Sequence, residues 1–339
     1  MSASAINPMN IAVVGAGYWG KKVIREIRDI SKTNGLVRLH AIADNSPTSL
    51  KECREEFGAV DCRLDYRTLL SDPDLSAVHI STPNPTHFEV ASALLQHGKN
   101  VLVEKPLTIE SKDAYRLVQL AQEKSMVLCT GHIHRFNNGV RELKRAIASG
   151  VLGRIYYLRL QWTGFLPPQR DREVITDLAP HPFDICNYLL GNWPEKVTCR
   201  GKGYRTSERE EVAFITAEYA DGLSVQIEVS WLDREKNRNV TVVGSDGMAS
   251  LDCAEQKAVL IRPDRMEQVP IIPSNTLREE IVHFANCIGH NHRSQPFSNE
   301  SDGMLGAQVV RLLEATRESM YKERTQRVQL PTIEEVLAR

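Results

Sequence analysis

With 339 residues, 42% of them hydrophobic and 25% charged, the chain has room for two packed domains and an ordinary globular composition. Its 42 lysines and arginines nearly balance 43 aspartates and glutamates, a formal net charge of −1, so no basic field directs it to nucleic acid or an anionic membrane. No apolar run approaches the roughly 20 residues of a membrane helix, the first ten residues have no leader pattern, and the seven cysteines have no CxxC spacing; together these features predict a reducing, cytoplasmic setting.

The first element is "NIAVVGAG", residues 10 to 17, a short β-branched run ending in glycines. That is the pattern of a buried parallel strand. "YWGKKVIREIRDI" follows with Val23, Ile24, Ile27 and Ile30 at helical spacing. Gly15-Ala16-Gly17-Tyr18-Trp19-Gly20 is thus a G-x-G-x-x-G set between strand and helix, the context that gives this motif its meaning. The first glycine permits a tight turn, the second lets a pyrophosphate approach the backbone, and the third allows close helix-strand packing. The next strand, "LVRLHAIAD", ends at Asp44, placed to accept hydrogen bonds from the adenosine ribose. No arginine follows in "DNSPTS", so the expected cofactor is NAD rather than NADP.

Strand and helix patterns continue to alternate through "AVHIS", "THFEVASALLQHG", "NVLVEKP", "SKDAYRLVQLAQEKS" and "MVLCTGH". Repeated units of this length predict a doubly wound parallel sheet whose ligands bind beyond the carboxyl ends of the strands. Gly15, Asp44, Thr82, Lys105 and His132 lie at or just past such ends. Residues 1–130 are therefore expected to form an NAD-binding Rossmann domain. Within it, Gly15, Gly17, Tyr18, Trp19, Gly20 and Asp44 are candidate cofactor contacts, joined by Glu104 and Lys105 at the end of "NVLV".

The pattern changes after residue 135. An amphipathic helix, "NNGVRELKRAIASGVLG", precedes a series of strand-like segments from "RIYYLRLQWTG" to "AVLIRP", with Asp221-Gly222 as a hairpin signal, and two helical segments close the chain. Residues 131–339 are expected to form an α+β substrate-binding and oligomerisation domain with a large open, mostly antiparallel sheet. Asp177 and His181 stand four apart at the start of a helical pattern, a spacing that lets them share one face. The close histidines of "HIHRF" and "HNH" lack a carboxylate or cysteine at ligand spacing, and no metal site is expected.

These residues resemble the glucose-fructose oxidoreductase/inositol dehydrogenase (GFO/IDH/MocA) family. The resemblance rests on "GAGYWG", "STPNPTH", "EKP", "GHIHRFN" and "DLAPHPFD", in that order, and covers almost the whole chain. It implies cofactor contacts from Thr82, Pro83, Asn84 and His87, a cis peptide before Pro106, and a homodimer or homotetramer built through the open sheet. It also implies that Lys105 and His181 reach the substrate carbon beside the nicotinamide. More narrowly, "GVLGRIYYLRLQWTG" and "DLAPHPFDICNYLLG" resemble the branch acting on nucleotide-linked amino sugars. That likeness implies oxidation of the C3 hydroxyl of a UDP-linked N-acetylhexosamine, such as UDP-N-acetylglucosamine, ahead of an aminotransferase in lipid A or surface-polysaccharide synthesis. Other nucleotide sugars, a free sugar, inositol, or a non-catalytic NAD-binding regulator are the alternatives.

In such a reaction a base takes a proton while a hydride leaves. His181 is the first candidate for base and Lys105 for polarising the oxygen, with the exchanged roles also open; Asp177 orients His181 or contacts the sugar. Arg135, Phe136 and Asn137 are expected to border the substrate, Arg135 equally well as an ion-pair partner. Arg170 or Arg172, Lys236 and Arg238 are available to a diphosphate, and Trp162 or Trp231 as apolar walls.

Overall fold

The computed structural model describes residues 8–167, 172–205, 209–292 and 297–338. The first strands and helices alternate: β1 (Met9–Val14), α1 (Tyr18–Thr33), β2 (Val37–Ala43), α2 (Pro47–Phe57), β3 (Asp61–Arg63), β4 (Ala77–Ile80), α3 (His87–Gln96), β5 (Asn100–Val103), α4 (Ser111–Glu123) and β6 (Leu128–Thr130). The strands make one sheet in the order β3-β2-β1-β4-β5-β6, and every pairing is parallel. This is the doubly wound order of dinucleotide-binding folds. Every residue of β4 and β5 is buried, as expected where helices cover both faces of a parallel sheet. The buried side of α1, Val23, Ile24, Ile27 and Ile30, packs into the same core as Ile11, Val13 and Ile42.

The later elements are α5 (Asn138–Ala148), β7 (Ile155–Phe165), α6 (Val174–Leu178), α7 (Pro180–Leu190), β8 (Lys196–Lys202), β9 (Val212–Glu218), β10 (Ser224–Ser230), β11 (Leu232–Gly244), β12 (Met248–Asp252), β13 (Lys257–Ile261), β14 (Met266–Val269), α8 (Thr276–His292), α9 (Gly303–Tyr321), β15 (Gln326–Arg327) and α10 (Ile333–Leu337). Nine strands form the second sheet, in the order β14-β13-β12-β11-β7-β10-β9-β8-β15. Only its β7–β10 pair is parallel; the others run antiparallel. Residues alternate between faces, so that Ala213, Ile215 and Ala217 of β9 and Val225, Ile227 and Val229 of β10 enter a core shared with Phe183, Ile185 and Leu312. The hairpin between these strands turns at Asp221-Gly222: Gly222 takes a φ of +83°, and Asp221 Oδ1 accepts from Leu223 N at 3.0 Å. The other face keeps Phe214 56% exposed among polar side chains of β7, β10 and β11.

The chain divides into two compact units, but not by a single cut near residue 130. The first takes in the residues through Gly131 together with Leu277–Ala307 and Thr332–Arg339; the second comprises His132–Thr276 and Gln308–Pro331. The physical reason is the apolar side of α8. Leu277, Ile281, Phe284 and Ile288 belong to the same buried cluster as β1 and α1. No helix among the described residues is long and apolar enough to cross a membrane.

Candidate active site

In the first unit, Gly15, Asp44, Thr82 and Lys105 lie just beyond the carboxyl ends of the neighbouring strands β1, β2, β4 and β5. The glycines differ in what they are for. Gly15 has a φ of +94°, and a Cβ there would stand 2.6 Å from the backbone of Ser81. At Gly20 a Cβ would stand 1.9 Å from the Gly15 carbonyl oxygen, whereas at Gly17 it would meet no protein atom within 4 Å. Two glycines are thus required by the fold, and the exposed one leaves a space that a pyrophosphate can approach. Asp44 frames this loop: its Oδ2 accepts from Ala16 N at 2.6 Å and its Oδ1 from Ser46 N at 2.8 Å. Together the open cradle and the adjoining carboxylate fit a dinucleotide carrying a free ribose.

Tyr18 is 78% exposed, with the Lys22 ammonium 4.5 Å from its ring centroid. Trp19 is half-buried and its Nε1 donates to Glu104 Oε1. The loop after β4 places Thr82 half-buried, Pro83 exposed and Asn84 buried. His87 is fully buried; its Nδ1 stands 2.9 Å from the Pro106 carbonyl oxygen and its Nε2 2.9 Å from that of Thr82. A neutral ring donates to one of them at a time, and burial pushes this imidazole toward its neutral form. His87 therefore ties the β4 loop to the turn that carries Lys105. The Lys105–Pro106 peptide is cis and Lys105 is half-buried. Burial pushes the Glu104 carboxyl up to about 7, against the pull of Lys105 and the Trp19 hydrogen bond.

In the second unit, Asp177 and His181 lie in different helices. Pro180, without an N–H, opens α7 after α6 has ended at Leu178, so the single helix expected from their spacing is split. Asp177 Oδ2 accepts from Trp231 Nε1 at 3.1 Å, and its Oδ1 lies 3.4 Å from Arg172 Nε. Half-buried His181 meets His134 edge-on, with ring centroids 5.0 Å apart, and Trp162 at 6.0 Å. His134 is one of the close histidines of "HIHRF", weighed in sequence only as a metal ligand; its place in "GHIHRFN" was the available signal for a position beside His181.

Arg135, Phe136 and Asn137, expected to border the substrate, are all buried and occupied structurally. Arg135 Nε donates to Asp184 Oδ1 at 2.5 Å and its Nη2 to Asn187 Oδ1 at 2.6 Å. Phe136 lies under the Arg141 guanidinium. Asn137 caps α5, accepting from Val140 N at 3.1 Å while donating to Cys253 O at 2.8 Å. The burial of these polar groups with matched partners assigns them to the packing of the unit. Trp162 and Trp231, 0% and 1% exposed, are likewise core and present no wall. Arg238 Nη1 is taken up by the carbonyl oxygens of Thr163 and Asn237, both at 2.7 Å; Lys236 is exposed. Arg170 lies outside the described residues.

A family model described as an oxidoreductase family with an NAD-binding Rossmann fold matches residues 9–132, and the GFO/IDH/MocA C-terminal domain matches residues 140–250. The chain belongs to the GFO/IDH/MocA family. It is an NAD-binding oxidoreductase by that membership. Among its relatives, UDP-N-acetylglucosamine 3-dehydrogenase of Acidithiobacillus ferrooxidans is 29% identical over 313 residues, 89% of this chain and 94% of the relative. The solved structure of that enzyme matches with a TM-score of 0.82 at 26% identity, covering 94% of this chain and 99% of the other. The 2,7-anhydro-N-acetylneuraminate hydratase of Mediterraneibacter gnavus is 28% identical over 258 residues, 72% of this chain and 67% of the relative.

Proposed function

We propose that this oxidoreductase removes a hydride and a proton from the C3 hydroxyl of a UDP-linked N-acetylhexosamine, such as UDP-N-acetylglucosamine, giving the 3-keto sugar. The observation that carries the reading is a likeness to UDP-N-acetylglucosamine 3-dehydrogenase that runs through nearly the full length of both chains. NAD supplies the hydride acceptor when bound. On this reading Gly15, Gly17 and Gly20 shape its pyrophosphate cradle, Asp44 takes the ribose hydroxyls, and Thr82, Pro83, Asn84 and Trp19 complete its walls. His181 takes the hydroxyl proton, Lys105 hydrogen-bonds the reacting oxygen, and Asp177, held by Trp231 and Arg172, fixes the approach to the sugar. A ketone made this way is drawn off by an aminotransferase, in lipid A or surface-polysaccharide synthesis in the cytoplasm. The protein works as a homodimer or homotetramer through the exposed face of its nine-stranded sheet.

The test is NADH formation from NAD and UDP-N-acetylglucosamine, with a matching aminotransferase and glutamate to remove the ketone. Lys105→Met and His181→Asn are run beside the wild type. Turnover is expected in wild type, with each variant slower by a factor on the order of 10² to 10⁴, the usual share of a positioned acid or base. A silent wild type that still binds NAD discards this substrate.

A further inference from the structure

The seven cysteines are all free thiols, and two of them meet. Cys129 belongs to β6 and Cys287 to α8, both in the first unit; they are 1% and 5% exposed. The Cys129 thiol lies within hydrogen-bonding reach of Cys287. One turn back on α8, His283 places its Nε2 3.4 Å from Cys287 Sγ. The Glu300 backbone N–H donates to that same nitrogen at 3.1 Å, so the nitrogen is an acceptor and can take the thiol's proton. Asn299 binds the group together: its Oδ1 lies 3.3 Å from Cys129 Sγ and 3.4 Å from His283 Nε2, while its Nδ2 donates to Leu128 O at 3.3 Å. Cys287 and Asn299 line a cavity of the first unit with Met126, Leu128 and Met304, which gives the sulfur a path to small solutes.

Environment separates these sulfurs from the rest and from each other. Burial pushes Cys53, Cys62, Cys186, Cys199 and Cys253 up, away from the thiolate that reacts. Cys129 is pushed up as well, by burial first and then by Cys287 and Asp302; the Asp302 backbone bridges to that of Cys129. Cys287 alone goes down: the Cys129 hydrogen bond, then His283, hold its thiol below the usual range although burial opposes them. The pair is therefore unequal, with one sulfur disposed to attack and the other to keep its proton.

We propose that Cys129 and Cys287 are a peroxide-oxidised dithiol whose disulfide latches α8 to the parallel sheet. The Cys287 sulfur attacks one oxygen of hydrogen peroxide and the O–O bond breaks. The thiol proton passes by way of His283 Nε2 to the departing hydroxide, leaving water and a Cys287 sulfenic acid. The Cys129 sulfur then displaces the sulfenic hydroxyl, which leaves as a second water with the Cys129 proton, and the S–S bond closes. Two thiols are oxidised and one peroxide is reduced to two waters. Because α8 joins the core of β1 and α1 from late in the chain, a bond from α8 to β6 makes that closure covalent. This inference is independent of the proposed dehydrogenase reaction.

The full chain, reduced and then freed of reductant, is treated with a small molar excess of hydrogen peroxide, its remaining thiols are blocked with N-ethylmaleimide, and its tryptic peptides are mapped by mass spectrometry. The expected product is a linked pair of peptides carrying Cys129 and Cys287, two hydrogens lighter than their sum and separated by dithiothreitol, with the other cysteines blocked. In Cys129→Ser the oxidation is expected to stop at a Cys287 sulfenic acid that dimedone captures. His283→Gln is expected to slow formation of the link by about tenfold or more. In the oxidised wild type, amide exchange within α8 is expected to be slower than in the reduced protein. The proposal is overturned if the wild type forms no link between Cys129 and Cys287, if another cysteine is oxidised first, or if a non-reducing gel shows that the link joins two copies of the chain. Exchange in α8 that is unchanged or faster overturns the latch, and an unaltered rate in His283→Gln overturns the part given to the histidine. The wild-type peptide map needs no substitution, so it decides the proposal even where a variant fails to fold.

Discussion

At the scale of single residues, burial decides what a charge is for. Arg135 reads in sequence equally well as a substrate contact or an ion-pair partner, and its guanidinium is closed off by Asp184 and Asn187. Arg135→Met would leave the Asp184 carboxylate, 1% exposed, without its counter-charge. The expected loss is about 3–5 kcal/mol in urea denaturation, the usual result of removing one partner of a buried pair. Glu104 makes a second prediction. Its folded-state value of about 7 lies above the ordinary 4.5, so the folded protein binds this proton more tightly than the unfolded chain. That stability is fully present below about pH 4.5, declines as pH rises toward 7, and is absent above it. Over this window the wild type should lose on the order of 3 kcal/mol relative to Glu104→Gln, read from paired denaturation curves at several pH values.

At the scale of elements, the strand-turn-helix that opens the chain separates glycines of the fold from glycines of the ligand. Gly20→Ala drives a Cβ to 1.9 Å from the Gly15 carbonyl oxygen, so α1 must shift from β1; a loss of about 1–3 kcal/mol in stability is expected, as for an overpacked core. Gly17→Ala meets open space and a φ of −70°. Its stability should stay within about 0.5 kcal/mol of wild type, while NAD binding weakens by about tenfold or more because the added methyl occupies the pyrophosphate's approach. Denaturation and isothermal calorimetry on the same two variants separate these effects. The elements around Asp177 and His181 teach the converse. Their four-residue spacing is helical in period, but Pro180 divides the segment into α6 and α7, and a missing N–H outweighs periodicity.

At the scale of the whole molecule, the first unit is completed by chain that arrives late. Leu277, Ile281, Phe284 and Ile288 of α8 are buried in its core at 8%, 1%, 1% and 0% exposure. Each such side chain contributes about 1.5–3 kcal/mol when fully buried, and four together rival the roughly 5–15 kcal/mol that hold an average domain. A fragment of residues 1–131 is therefore expected not to fold cooperatively, despite containing every strand of the parallel sheet. Circular dichroism and NAD binding of the fragment check this; a sharp thermal transition with NAD affinity intact would contradict it.

Much was legible in the amino-acid order because it is local physics. The apolar β-branched runs, the G-x-G-x-x-G between strand and helix, Asp44 at a strand end and the Asp221-Gly222 hairpin each depend on residues close together in the chain. They were enough to specify two fold classes, an NAD cofactor and the family. The roles of Asn137 and Trp231 were not legible, and Arg135 stayed divided between a substrate contact and an ion pair, since a cation, an amide or an indole reads the same in sequence whether it faces a ligand or a buried partner. The place of α8 carried no local signal: Leu277, Ile281, Phe284 and Ile288 are one apolar side of a helix until they join β1 and α1 in one core. Composition and period settle which segments form, but burial and the meeting of distant side chains arise only when the chain packs, and these decide which charges are structural and which can take part in chemistry.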